Sequence, residues 1–240
     1  MLEIKNLTKI YSKDFRAVDN LSLTVKSGEI YGFIGHNGAG KSTTIKSVVG
    51  ALAFEEGDIY IDGYSIKKNP IECKKITAYI PDNPDIYDYL TGEQYLNFVG
   101  DIFGIEKTKM LEDIKHYATE FGIYDNLGDL ISSYSHGMKQ KLCIISAIIH
   151  NPKLLVLDEP FVGLDPLASH KLKEIMASLC KKGSAIFFST HVLEVAEKLC
   201  DRVGIIKDGK LVCEGNMEEV TQNASLEKVF LEIAREKTNE

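Results

Sequence analysis

Residues 35–43 read GHNGAGKST, and no other stretch limits so tightly what this chain can fold into. Gly35, Gly40, Lys41 and Ser42 fit the spacing G-x-x-x-x-G-K-[ST]. Such a loop needs glycine because its backbone curls round an anion in conformations that a Cβ disfavours. Its N–H groups then point inward, backed by the dipole of the following helix. The alternative reading is an ordinary glycine turn before a helix. The flanks argue against it: EIYGFIG (29–35) reads as a continuously apolar strand and KSTTIKSVVG (41–50) as a helix, which is the context the motif requires. Gly35, His36, Asn37, Gly38, Ala39, Gly40, Lys41, Ser42 and Thr43 are therefore candidates for holding nucleotide phosphates. Lys41 is a point charge suited to the β- and γ-phosphates, and the Ser42 hydroxyl is a natural ligand for Mg²⁺.

LLVLDEP (154–160) supplies a second half. Four apolar residues followed by acids describe a central parallel strand that delivers carboxylates at its carboxyl end, where open α/β sheets bind ligands. Asp158 is placed to hold Mg²⁺ through water. Glu159 is placed to orient or deprotonate an attacking water. An acidic strand end that merely caps the next turn is the competing reading, and the phosphate loop weakens it.

Around these two pieces the pattern is α/β. Alternating Leu2, Ile4, Leu21, Leu23 and Val25 predict half-buried antiparallel strands, with turns near SKDF and KSGE. GDIYIDG (57–63) and ITAYIP (76–81) read as strands. Residues 82–150 show apolar positions at helical spacing and predict a helical lobe inserted between strands. From 153 strands and helices alternate again: LLVLD, a helix from Pro166 to about Lys181, SAIFFST, a helix over about 191–199, and a hairpin turning at Asp208-Gly209. SLEKVFLEIAREK near the end reads as a short amphipathic helix. The expected architecture is a P-loop core with a mainly parallel sheet, an N-terminal antiparallel β-subdomain and an inserted helical subdomain. In domain terms that is one unit over 1–235: core over 1–81 and 151–217, helical subdomain over 82–150, and a C-terminal helix and tail over 218–240.

The stretch YSHGMKQ (134–140) raises its own question. Ser135 sits where an N-cap would sit, ahead of a helix whose first N–H groups and dipole favour an anion. The chain already holds a better phosphate site almost a hundred residues upstream.

Composition narrows the classes. The chain has 240 residues and a net charge of −7, which argues against a nucleic-acid partner. Its five cysteines form no CxxC pair and are read as structural thiols rather than a metal or redox site. No signal peptide is visible and the longest apolar runs are too short to span a bilayer. The expectation is a cytoplasmic protein for which any membrane part comes from another chain.

Taken together, GHNGAGKST, YSHGMKQ just ahead of LLVLDEP, GLD at 163–165 and STH at 189–191 resemble the ATPase subunit of an ATP-binding cassette (ABC) transporter, in the family's motif order and over essentially the whole chain. The resemblance implies that two such domains pair head to tail, with Ser135 and Gly137 of one meeting the γ-phosphate of ATP bound by the other. It implies that Tyr11 stacks on adenine, that His191 contacts the γ-phosphate, and that Asp165 links the two sites across the dimer. Asp165 also reads as an N-cap before Pro166. Two departures stand out. Asp82 occupies the place of a glutamine that touches Mg²⁺ and begins the loop sensing the membrane partner; a shorter charged side chain suggests contact through water. His136 and Met138 replace the usual glycine and glutamine. With SLEKVFLEI, these features resemble the exporter branch that includes antibiotic efflux pumps.

The implied function is ATP hydrolysis that drives a separate membrane permease from the inner face of the cell membrane, with ATP and Mg²⁺ as cofactors and the stretch from Asp82 to about Leu96 as the docking site. Two alternatives are a soluble cassette ATPase in DNA repair or translation, and a weakly hydrolysing nucleotide-gated scaffold suggested by Asp82. The chain lacks the long coiled-coil insert or second cassette usual in the first, and its Glu159 argues against the second. An NKxD base-reading motif is absent, which argues against a GTPase.

Overall fold

The computed structural model describes residues 1–12, 15–222 and 224–235, the side chain of residue 235 excepted. The alternating apolar residues at the start form β1 (Leu2–Ser12) and β2 (Phe15–Val25), paired antiparallel. Leu2, Ile4, Leu21, Leu23 and Val25 are all buried, as the alternation predicts. The SKDF turn includes residues 13 and 14, outside the described residues. β3 (Ile30–Ile34) is buried throughout and runs through the phosphate loop into α1 (Lys41–Val48). β4 (Glu56–Ile61) returns antiparallel along β1, and β5 (Tyr64–Ser65) pairs with its end. α2 (Pro70–Ile76) starts on a proline at its first turn; its seven residues are too few to show a helical period in the sequence. β6 (Thr77–Ile80) follows.

The helical stretch contains α3 (Gly92–Phe103), α4 (Lys107–Glu120) and α5 (His136–Ile148). Each start has a side-chain cap: Thr91 and Gln94 form a reciprocal capping box, Glu106 accepts from Thr108 and Lys109 N–H, and Ser135 accepts from Met138 N–H. Then come β7 (Leu154–Asp158), α6 (Pro166–Lys181), β8 (Ala185–Thr190), α7 (Leu193–Leu199), the hairpin of β9 (Arg202–Lys207) and β10 (Lys210–Asn216), α8 (Met217–Thr221) and α9 (Leu226–Arg235). α7 begins two residues later than expected, leaving His191 in the turn after β8. The expected tail beyond residue 235 lies outside the described residues.

The strands form two sheets, ordered β2-β1-β4-β5 and β10-β9-β3-β8-β7-β6. The first is antiparallel; the second is parallel except for the β9–β10 hairpin. This is the P-loop α/β class with an antiparallel N-terminal sheet that the sequence predicts. The period-2 rule divides the core between the two faces of the larger sheet. Ile30 and Ile34, Leu155 and Leu157, and Ile186 and Phe188 pack with the helical stretch and α6. Tyr31 and Phe33, Leu154 and Val156, and Ala185 and Phe187 pack with the antiparallel sheet and α1. Register then fixes the site: Ile34 lies opposite Thr190 and Asp158 opposite Ser189. The carboxyl ends of β3, β8 and β7 therefore stand side by side.

Candidate functional site

The glycines of the phosphate loop are required for different reasons. Gly38, at the exposed tip, has φ +83° and open space where a Cβ would go. Gly40 has φ +110°, and a Cβ there would lie 2.4 Å from the Ala17 carbonyl oxygen on β2. A Cβ on Gly35 would lie 2.6 Å from the Ile206 carbonyl oxygen on β9. Backbone curvature demands Gly38 and Gly40; neighbouring strands demand Gly40 and Gly35, which the loop sequence alone does not reveal. Gly209 N–H donates to the Ala39 carbonyl at 2.9 Å, tying the β9–β10 turn to the loop. His36 and Asn37 are exposed beside the tip, Ala39 is buried, and Ser42 and Thr43 open the first turn of α1 with Ser42 exposed.

Lys41 is buried, and its ammonium donates to the Gly35 carbonyl at 2.7 Å and the His36 carbonyl at 3.2 Å. It also stands 3.7 Å from Glu159 Oε1. Asp158 is buried at the end of β7, where its Oδ1 accepts from Ser189 Oγ at 2.5 Å. Glu159 follows in the left-handed region, φ +48°, a conformation that costs a non-glycine residue about 1–3 kcal/mol. Surrounding contacts hold it there: Glu159 N–H donates to Ser189 Oγ at 3.1 Å, and Glu159 Oε2 accepts from His191 N–H at 3.3 Å. The other oxygen lies 2.9 Å from His191 Nδ1. The strained turn thus aims Glu159 at the loop lysine and at His191, which follow β3 and β8. Ser189, which organises both acids, opens the STH motif, but only the parallel register reveals its role.

The helix start expected to act as a second anion seat is present as an element. Ser135 is exposed at the start of α5, its Oγ accepting from Met138 N–H at 3.3 Å. Gly137 follows in the first turn, and Asp165 lies nearby as the cap of α6, its Oδ1 accepting from Ala168 N–H at 2.8 Å. Lys141 of α5 reaches the other Asp165 oxygen at 2.7 Å and holds its carboxyl below the ordinary range, with the cap bond second in effect. Tyr11, near the end of β1, is 55% exposed, with Lys9 Nζ 5.4 Å from its ring centre.

Asp82 is exposed just past β6. Among the described residues no three His, Cys, Asp or Glu side chains group to hold a metal, so Asp82, Asp158 and Glu159 make no metal cage. Mg²⁺ does not need one: it is commonly held by one or two protein oxygens together with phosphates and water. A hydroxyl on Ser42 and a carboxylate on Asp158 fit that hard-oxygen chemistry. Cys73, Cys143 and Cys200 are buried, Cys180 and Cys213 are partly so, and none of the five is in a disulfide. Burial pushes the Cys143 thiol up to about 12, as suits structural thiols.

A glycine-rich loop between a buried strand and a helix, with a buried acid at the end of a strand two places away, defines a P-loop nucleotide hydrolase. The chain belongs to the ABC transporter family, whose profile matches residues 18–162, and it is an ATP-binding, ATP-hydrolysing subunit of that family. It is 34% identical over 241 residues to the ABC-type transporter ATP-binding protein EcsA of Bacillus subtilis, covering 98% of this chain and 97% of the relative. It is 38% identical over 215 residues to the bacitracin transport ATP-binding protein BcrA of Bacillus licheniformis, covering 89% and 69%. Among solved structures, an ATP-binding subunit of an ABC transporter matches with a TM-score of 0.94 at 34% identity, over 98% of this chain and 100% of that one.

Proposed function

We propose that this chain hydrolyses ATP at the carboxyl ends of β3, β7 and β8, as half of a head-to-tail dimer, and thereby drives a separate membrane permease. The observation that carries the reading is the placement of Glu159, 3.7 Å from the loop lysine and 2.9 Å from His191. Loop N–H groups and Lys41 bind the triphosphate, Lys41 exchanging its carbonyl partners for β- and γ-phosphate oxygens. Glu159 orients the attacking water and takes its proton, and His191 steadies Glu159 beside the γ-phosphate. Tyr11 stacks on adenine. Ser42 and Asp158 would hold Mg²⁺, with Asp82 acting through water; the ion supplies charge neutralisation at the phosphates.

The dimer reading is supported by the second anion seat and by what surrounds it. Val162, Leu167 and Val192 are large apolar side chains left exposed next to Asp165 and His191, as suits a face covered by another copy. Ser135, Gly137 and Asp165 of each copy then complete the other's pocket. Permease docking is supported by the stretch expected to receive it, where Tyr87 and Tyr89 are exposed and gather with Phe98 of α3, at ring separations of 5.7 and 5.9 Å from Tyr87. Among the described residues no helix is long and apolar enough to cross a membrane, consistent with a subunit attached at the inner face through its permease. Likeness to a bacitracin transport protein favours the export direction. We take 1–235 as one ATPase domain, with 82–150 as its helical lobe.

Glu159→Gln tests the core of this. It is expected to retain ATP binding while steady-state phosphate release falls by about 10²–10⁴-fold. Turnover at the wild-type rate would remove Glu159 from the chemistry.

A further inference from the structure

We propose that Lys141 is a positioning residue that fastens the loop 163–165 to the first turns of α5, so that the pieces offered to a neighbouring copy's nucleotide move as one body. The inference rests on the head-to-tail dimer proposed above. Gly137 and Lys141 are one helical turn apart and share a face of α5. Both meet the same loop. Lys141 Nζ lies 2.7 Å from Asp165 Oδ2, and the lysine side chain is only 16% exposed. A Cβ on Gly137 would lie 3.1 Å from the Gly163 carbonyl oxygen.

The neighbouring residue adds a third contact. Gly163 has φ +79°, and a Cβ on it would meet the His136 ring at 2.7 Å. The imidazole that departs from the family's usual glycine therefore lies against a residue that has no side chain to oppose it. The Asp165 carboxylate is divided: one oxygen caps α6 through Ala168 N–H, and the other is held by α5. The other lysine of α5, Lys139, is engaged with Asp88 at 2.6 Å.

The consequence concerns the partner's pocket, not the chain's own. Ser135 and Gly137 sit on α5, whereas Asp165 sits at the start of α6. A pocket closed from both elements keeps its shape only if their separation is fixed. Displacements of the order of 1 Å at such a site can cost about 10²-fold. Without Lys141, Asp165 would keep its cap bond but lose its tether to the anion seat.

The test uses the full chain carrying Glu159→Gln, with ATP and Mg²⁺, and sedimentation across a concentration series to obtain the dimer Kd. Adding Lys141→Met is expected to weaken the dimer about tenfold, and Lys141→Arg to restore it to within about threefold. ATP affinity of the dilute monomer and its melting temperature should stay where they were, because the phosphate loop lies on other elements. Lys141→Met combined with Asp165→Asn should be no weaker than the worse single variant, since both remove one contact. A dimer as tight with Lys141→Met as without it would overturn the inference and leave the dimer reading standing. So would a weakening that arginine fails to restore and that comes with lost melting temperature, since that marks a merely structural role. If Glu159→Gln alone stays monomeric with ATP, the dimer reading fails and this inference falls with it.

Discussion

At the scale of single residues, the same amino acid serves different physics at nearby positions. Gly40→Ala would put a Cβ 2.4 Å from a backbone oxygen of β2, at φ +110°. Backbone cannot swing aside as a side chain can, so the expected result is a loss of several times the 1–2 kcal/mol that left-handed strain alone costs, roughly enough to abolish folding. Gly38→Ala meets only the strain, about 1–2 kcal/mol, because its surroundings are open. It should still fold, and weaken ATP binding by crowding the cradle. Melting curves and nucleotide titration of the two variants separate these effects. His150 gives a pH prediction. Its ring stacks on Phe103 at 3.7 Å, and burial lowers its pKa to about 4 against the opposing pull of the Thr77 and Ser146 backbone; neither ring nitrogen has a hydrogen-bond partner among the described residues. A histidine neutral when folded and protonated when unfolded stabilises fully above its unfolded pKa, near 6.5. Stability should therefore fall as pH drops from about 6.5 to about 4, by up to about 1.4 kcal/mol per pH unit. His150→Phe should flatten that part of the curve in denaturant titrations at stepped pH.

At the scale of elements, side-chain caps mark where α5 and α6 begin, and both were legible. Ser135 and Asp165 cap as their residue types predict, and Pro166 opens α6 where expected. Thr91→Ala would remove half of a reciprocal box at the start of α3 and should cost about 1 kcal/mol in chemical denaturation; an unchanged midpoint would mean that packing alone holds the helix. α2 was missed because seven residues are too few to show a period, and its place depends on β5 and β6. The left-handed turn at Glu159 was equally hidden. Nothing in DEP announces φ +48°; it is sustained by Ser189 and His191, thirty and thirty-two residues away.

For the whole molecule, two faces have separate work under the proposed function. The carboxyl ends of the parallel strands face a second copy, and the aromatic group on the helical stretch faces a permease. Tyr89 is 74% exposed, so Tyr89→Asp, alone or with Phe98→Asp, should leave folding within about 0.5 kcal/mol. It should sharply reduce recovery of the chain with its membrane subunit while ATP turnover of the isolated chain persists. Undiminished recovery would move the docking site elsewhere.

The sequence by itself determined the P-loop class, the order of its main elements and the glycine loop and acidic strand end that meet in the candidate site. These are local properties: a period of two or 3.6, a glycine where the chain must curl, a capping hydroxyl, an acid at the end of an apolar run. Only the tertiary structure decided which strands lie side by side, that Ser189 joins Asp158 and Glu159, that Gly35 and Gly40 are kept small by β9 and β2, and that Lys141 reaches Asp165. Those facts depend on register and on contacts between residues far apart in the chain, and no short-range pattern carries them.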